Sequence, residues 1–334
     1  MCKSTAIISK HDPPLLLKVA AYVSGNSVIL VAVASSLALL LGPFLYPKTI
    51  GLYFLFPYCS YTYFQGRHEL KDGNPWPAFS KKFPLFCVLR NYLDLKFHQP
   101  LPKELIEAER SSDAQFIFSV FPHGVNADYR ILMDGMQDTV LPNVADKIRV
   151  LSASILFRIP IIREICLWTG CVDARWSVAQ SLLRSGKSFV VFPGGMDEQL
   201  MTDFGKEKVY LSKRKGFIKL SMKENVPVVP MYVFGCSDMY YTSSAFFRLR
   251  FWIMKSFGAC IPLSMGWMAS VACPLPVKTT IVFGKPLLFQ MKDQGSPSDI
   301  EVEVAHSTFV DKLISLFNEH KGRLGYGNRE LEVV

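Results

Sequence analysis

No C-x-x-C pair occurs among the eight cysteines of this 334-residue chain, which are Cys2, Cys59, Cys87, Cys166, Cys171, Cys236, Cys260 and Cys273. Without that spacing a zinc site or a redox pair has little to build on. Several of these thiols sit in apolar runs, where a reduced cysteine behaves as a small hydrophobe. The pattern predicts a reducing environment and a domain that faces the cytosol. A G-x-S-x-G elbow is also missing, so covalent serine catalysis has no nucleophile in its usual setting. Gly186-Lys187-Ser188 resembles the end of a phosphate loop, but Ser181 stands where that loop requires glycine. Zinc-finger spacing, RNP-type aromatics and a basic helix with heptads are lacking too, which argues against nucleic acid. No repeat or long low-complexity segment is found.

What is present is apolar and basic. Half of the residues are hydrophobic, the formal net charge is +9, and the mean hydropathy is +0.21. That is high for a soluble enzyme and low for a polytopic transporter, so one catalytic domain with a short membrane anchor is expected. The charge suits an acidic membrane surface or a phosphorylated cofactor.

From Val28 to Tyr46 the chain reads VILVAVASSLALLLGPFLY without a charged residue, about the roughly 20 residues needed to cross a bilayer core. A second apolar stretch runs from Ile50 to Phe64, and Gly42, Pro43, Pro47 and Lys48 lie near the turn between them. Lys3, Lys10 and Lys18 precede this pair; Arg67, Lys71, Lys81 and Lys82 follow it. Cations on both outer flanks predict a transmembrane hairpin with both ends cytosolic. The expected division is an N-terminal segment over 1–26, a hairpin over 27–64 and a cytosolic domain over 65–334, entered through the polar stretch Gln65 to Pro77. A buried core helix pair in a soluble protein is the alternative. Phe246 to Pro274 mixes aromatics with a few cations; it suits an interfacial segment or lipid access path as well as it suits a core helix.

Beyond the anchor, Gln115–Phe121, Lys147–Leu151, Ser188–Phe192, Val226–Phe234 and Thr279–Phe283 read as strands. Trp176–Ser185 and Lys213–Glu224 carry helical spacing. Strands spaced by helices predict an α/β domain with a mixed or mostly parallel sheet flanked by helices.

Phe121 ends the first of these strands and Pro122-His123-Gly124 turns sharply after it, putting His123 where α/β sites usually lie. Asp128 follows at the expected start of a helix. That spacing lets its carboxylate hold the imidazole Nδ1–H, leaving Nε2 free to take a proton from an alcohol. A structural histidine in a tight turn is the plain alternative. Ser188–Phe192 also ends in a glycine turn, Pro193-Gly194-Gly195, where backbone N–H groups could approach an oxyanion or phosphate. A basic stretch, Lys206 to Lys223, suits the phosphates of a cofactor or lipid headgroups, or else is a solvated helix face.

His-x4-Asp, Phe-Pro-Gly-Gly (Phe192 to Gly195) and Val-Pro-Val-Val-Pro (Val226 to Pro230) occur here in that order. The order resembles the glycerolipid acyltransferase superfamily, and more narrowly the type-2 diacylglycerol acyltransferase family with its monoacylglycerol acyltransferase and wax synthase relatives. That family's Pro-His-Gly block is matched by Pro122, His123 and Gly124. Its long R-x-G-F-x-K block is matched by Arg214, Gly216, Phe217 and Lys219, followed by Val228, Val229, Pro230, Phe234 and Gly235. IPIIREICLWTG and FNEHKGRLGYG are similar to it as well. Phe121, Met196, Ser221, Asn225 and Cys236 depart from its pattern. The glutamate of the phosphate-acceptor enzymes' Phe-Pro-Glu-Gly is absent, which favours a neutral acceptor.

The resemblance implies an acyl-CoA-dependent transfer to diacylglycerol, with His123 and Asp128 catalytic. Pro122, Gly124, Asn126, Phe192, Pro193, Gly194, Gly195, Glu198, Arg214, Gly216, Phe217 and Lys219 become candidates for substrate binding. Acyl-CoA is then a co-substrate, and no bound cofactor or metal is expected. The partners are acyl-CoA, diacylglycerol and the bilayer, with homo-oligomerisation left open. The implied location is the endoplasmic reticulum membrane, with lipid droplets also open. Monoacylglycerol or a fatty alcohol is an alternative acceptor, and a non-catalytic lipid-binding protein is the alternative from another class.

Overall fold

The computed structural model describes residues 11–64, 66–291 and 295–334. Cys2, Lys3, Lys10 and Gln65, used above to read the anchor and the redox setting, lie outside the described residues.

In chain order the strands are β1 (Lys96–Phe97), β2 (Ile117–Phe121), β3 (Ile148–Ser152), β4 (Cys171–Asp173), β5 (Ser188–Val191) and β6 (Glu207–Val209). They continue with β7 (Val228–Phe234), β8 (Tyr241–Thr242), β9 (Ser264–Met265), β10 (Thr280–Phe283) and β11 (Leu331–Val333). Seven of them form one sheet in the order β1-β10-β7-β2-β5-β3-β4. Every pair is parallel except β10 with β7. The sheet is therefore mixed, with helices on both faces, as the alternating pattern predicts.

The central strands are buried on both sides, which is why IFSVF reads as an unbroken apolar run rather than an alternating one. Phe118, Val120, Val190, Met231 and Val233 face one core. Ile117, Phe121, Phe189, Tyr232 and Phe234 face the other, under helices Trp176–Arg184, Gly216–Glu224 and Asp299–Lys321. Asn225 closes the middle one of these helices at φ 52°. Asparagine tolerates that left-handed cap, the conformation glycine most often supplies.

Arg329 binds the C-terminal segment to the domain. Its guanidinium reaches Glu207 and Asp238, each at 2.8 Å, while Tyr232 donates to the same Glu207 at 2.8 Å. The burial of both carboxylates is offset by these charge-assisted bonds.

At the N-terminus a helix runs from Leu15 to Leu45, long and apolar enough to cross a membrane. It begins earlier than the Val28 start read from hydropathy, because its first turns lean on the domain through Ala21, Ser24 and Gly25. Past Ile29 its apolar side chains are largely exposed. Ser35 and Ser36 return their hydroxyls to the carbonyls of Val31 and Ala32 at 2.6 and 2.7 Å, the usual way for a polar group to be satisfied in an apolar segment. The helix breaks at Tyr46, and Ile50 packs against Gly42, where a Cβ would sit 2.7 Å from its side chain. Pro47–Leu55 winds as a π-helix, and Phe56–Phe64 as an α-helix.

Arg163 joins this segment to the domain. It pairs with Glu69 at 2.8 Å and Glu164 at 2.9 Å, while Tyr61 and Tyr58 donate to the same two carboxylates. The helix expected within Phe246–Pro274 is shorter than that stretch. It spans Phe247–Phe257 and stops at Gly258, which adopts a left-handed φ of 66°; the rest is loop and the short β9.

Candidate active site

β2 delivers His123 to the carboxyl end of the sheet, between β7 and β5. Three constraints shape the turn. Tyr129 donates its hydroxyl to the Pro122 carbonyl at 2.7 Å. Gly124 holds a left-handed φ of 68°, and a Cβ there would collide with the Cys236 sulfur. Glycine is thus required twice, by conformation and by space. Gly124→Ala is expected to cost about 2–4 kcal/mol, combining left-handed strain with overpacking. Adding Cys236→Ala relieves only the collision, so denaturant melts of the double variant should recover part of that loss.

The imidazole of His123 donates from Nδ1 to the Gly124 carbonyl at 3.0 Å. A carbonyl can only accept, so this contact places the proton on Nδ1 and leaves the Nε2 lone pair available. Phe192 meets the ring edge-on, with centroids 5.6 Å apart. Burial depresses the pKa of His123 below the ordinary histidine range, and the nearby Arg130 charge adds to the effect. A neutral imidazole at physiological pH follows.

Asp128 differs from its expected contact. Its carboxylate accepts from the Tyr240 hydroxyl at 2.7 Å, while the Nδ1–H it was expected to hold is taken by the Gly124 carbonyl. The Tyr240 phenol arrives from the loop after β7, and only tertiary folding reveals that partner. Burial raises Asp128 to about 6 against the lowering effect of that hydrogen bond.

At the second glycine turn one of the two expected backbone donors is engaged within the chain. The Gly195 N–H donates to the Phe192 carbonyl at 3.1 Å, so it closes the turn rather than pointing at an oxyanion. A Cβ on Gly194 would strike the Glu198 carboxylate. Its absence lets that side chain fold back over the turn. Glu198 is buried and accepts from the backbone N–H of His123 and, at 2.8 Å, from that of Tyr210. Burial lifts its pKa to about 7, opposed by these two bonds. Gln199 also donates to the Val125 carbonyl. One short helix, Gly195–Met201, therefore clamps the His123 loop to the chain around Tyr210.

The long basic block divides. Arg214 pairs with Asp197 and lies over the Tyr210 ring, its carbon 5.2 Å from the centroid. Asp197 also holds Lys255 at 2.9 Å. Phe217 is a core residue, packed on Phe309 with centroids 5.0 Å apart. The apolar face of an amphipathic helix places it there. Gly216 opens that helix, and Lys219 is half-buried on it. Lys206, Lys208 and Lys215 pair with Asp203, Glu332 and Glu303. Asn126 is exposed and donates to the Val271 carbonyl at 3.2 Å. Pro193 is half-buried beside the turn. Tyr240, Tyr210 and Arg130 escaped sequence reading: Tyr240 lies 112 residues from Asp128, and Tyr210 and Arg130 carry no local motif.

A family model described as diacylglycerol acyltransferase matches residues 49–333. Diacylglycerol O-acyltransferase 1 of Eremothecium gossypii is 30% identical over 232 residues, which is 66% of this chain but only 50% of that protein. Diacylglycerol O-acyltransferase 2B of Umbelopsis ramanniana is 26% identical over 299 residues, covering 83% of this chain and 82% of that one. Among solved structures, the 1-acyl-sn-glycerophosphate acyltransferase PlsC from Thermotoga maritima aligns with 89% of this chain and 94% of its own. The identity there is 17% and the TM-score 0.40.

Proposed function

Because the chain belongs to the diacylglycerol acyltransferase family, we propose that it transfers an acyl group from acyl-CoA to the free hydroxyl of a diacylglycerol, with His123 as general base. The observation that carries this reading is the His123 imidazole itself. It sits at the end of β2, holds its proton on Nδ1 and keeps Nε2 free and uncharged.

In the proposed reaction Nε2 takes the hydroxyl proton as the oxygen attacks the thioester carbonyl. The C–S bond breaks as the tetrahedral intermediate collapses. CoA leaves as a thiolate and accepts the proton from the imidazolium, so triacylglycerol and free CoA are the products. Asp128 touches Tyr240 rather than the reacting nitrogen, which makes it a positioning residue on the helix that follows His123. Glu198 positions the loop from below. Acyl-CoA approaches from the cytosol and diacylglycerol from the bilayer, in keeping with the exposed apolar N-terminal helix and the cations that flank it. The endoplasmic reticulum membrane is the proposed site of action, by the same family likeness.

The test is an assay with labelled acyl-CoA on the reconstituted chain, offering diacylglycerol, monoacylglycerol and a fatty alcohol in parallel. Triacylglycerol should dominate; product with none of the three acceptors would overturn the reading.

The pH dependence is fixed in sign. Transfer needs the neutral imidazole, so activity falls as pH drops through the His123 pKa. Burial depresses that pKa, so the acidic limb of kcat/KM should lie below about 6.5, the ordinary histidine value. A pH–rate profile checks this, and a limb clearly above that value would count against His123 as the base.

A further inference from the structure

Between Asp238 and Asp293 the chain contains no aspartate or glutamate, while Arg248, Arg250, Lys255, Lys278, Lys285 and Lys292 fall within it. The same stretch carries a dense group of exposed large apolar side chains. On and beside helix Phe247–Phe257, Phe246 is 75% exposed, Trp252 56% and Phe257 66%; in the following loop Met268 is 69% exposed. A soluble surface rarely gathers so many, and the absence of any acid among them is a second, independent signal.

The loop is seated directly on the N-terminal helix. Ala272 packs against Gly25, where a Cβ would meet its carbonyl. Ser270 and Asn26 join their side chains at 3.0 Å, and Tyr22 meets Trp267 edge-on with centroids 5.9 Å apart. Just beyond those contacts, from Ile29 onward, most of the large apolar side chains of the N-terminal helix are exposed, including Leu30, Val31 and Leu40. The aromatic face is thus continuous with the segment that is long and apolar enough to cross a membrane.

We propose that helix Phe247–Phe257 and the loop through Val271 form a second membrane contact, lying in the interface of the same bilayer and held to anionic lipid headgroups. The aromatic and apolar side chains enter the headgroup boundary, and the exposed cation Arg248 meets the lipid charge. This seating has a consequence for the site. Lys255 pairs with Asp197, the residue before the Glu198 that holds the His123 backbone. A platform resting on the bilayer therefore brings the His123 turn to the lipid surface, where a diacylglycerol presents its hydroxyl.

The proposal is independent of the acyl-transfer reading, because its test reports position and not product. The full chain is reconstituted into phosphatidylcholine vesicles containing brominated lipid, with and without phosphatidylserine. The emission difference between wild type and Trp252→Phe isolates Trp252. That component should be quenched by brominated lipid, shielded from aqueous iodide, and quenched more strongly when phosphatidylserine is present. Phe257→Trp in the Trp252→Phe background should restore a lipid-quenched signal, which guards against a local defect in the first variant. Quenching by iodide alone would show the face in water; quenching by neither would show it covered by protein. Either result overturns the proposal, and indifference to phosphatidylserine would overturn its anionic part.

Discussion

Replacing His123 with alanine is expected to lower acyl transfer by about 10²–10⁴-fold, the usual contribution of a general base, while the chain stays folded and membrane-bound. The retained fold follows from the surroundings. The ring is only partly buried, and the turn is held by its backbone contact with Glu198 and by Tyr129 donating to Pro122. Removing the imidazole leaves those contacts in place. What is lost is the one group in the turn that is neutral, desolvated and has a nitrogen lone pair to offer. The loss should appear in kcat, with KM for acyl-CoA little changed, because a base acts in the transition state rather than in binding. Asparagine at the same position should not restore activity, since an amide nitrogen is not basic.

Glu198→Ala should produce the second large effect, by another route. Two backbone donors, at His123 and Tyr210, would lose their shared acceptor in a buried setting. Each unsatisfied group costs about 1–3 kcal/mol, so a total of about 2–6 kcal/mol is expected in denaturant melts. The His123 loop would also relax, and a displacement on the order of 1 Å at a reacting group can cost about 10²-fold in rate. Glutamine should recover part of both losses, because its amide oxygen can still accept one N–H. A role confined to stability would be shown by an Ala variant with reduced melting but full kcat at low temperature.

The contrast between these two residues explains how much could be read before folding. His123 announced itself locally: an apolar strand ends, proline and glycine turn the chain, and a histidine stands between them. Such signals depend on near neighbours in sequence, and so do the strands β2, β5, β7 and β10, which were legible as apolar runs. The role of Glu198 depends on Gly194 lacking a side chain and on Tyr210 arriving from a separate segment. No spacing rule encodes that. Asp128 shows the same limit: the spacing to His123 was visible, but the competing donor Tyr240 lies 112 residues away. Phe217 sits in a block singled out for its resemblance and yet packs into the core, because the apolar face of an amphipathic helix takes it there. The two- and three-residue strands β1, β4, β6, β8, β9 and β11 were illegible for a simpler reason. They are too short to show alternation, and pairing with distant partners is what defines them.

The most direct test of the central claim is triacylglycerol formation by the purified chain in vesicles containing diacylglycerol and supplied with labelled acyl-CoA. Wild type and His123→Ala are compared at equal reconstituted protein. Labelled triacylglycerol from wild type and a loss of about 10²-fold or more in the variant is the predicted result. Equal product from both chains would contradict the assignment of His123 as the base.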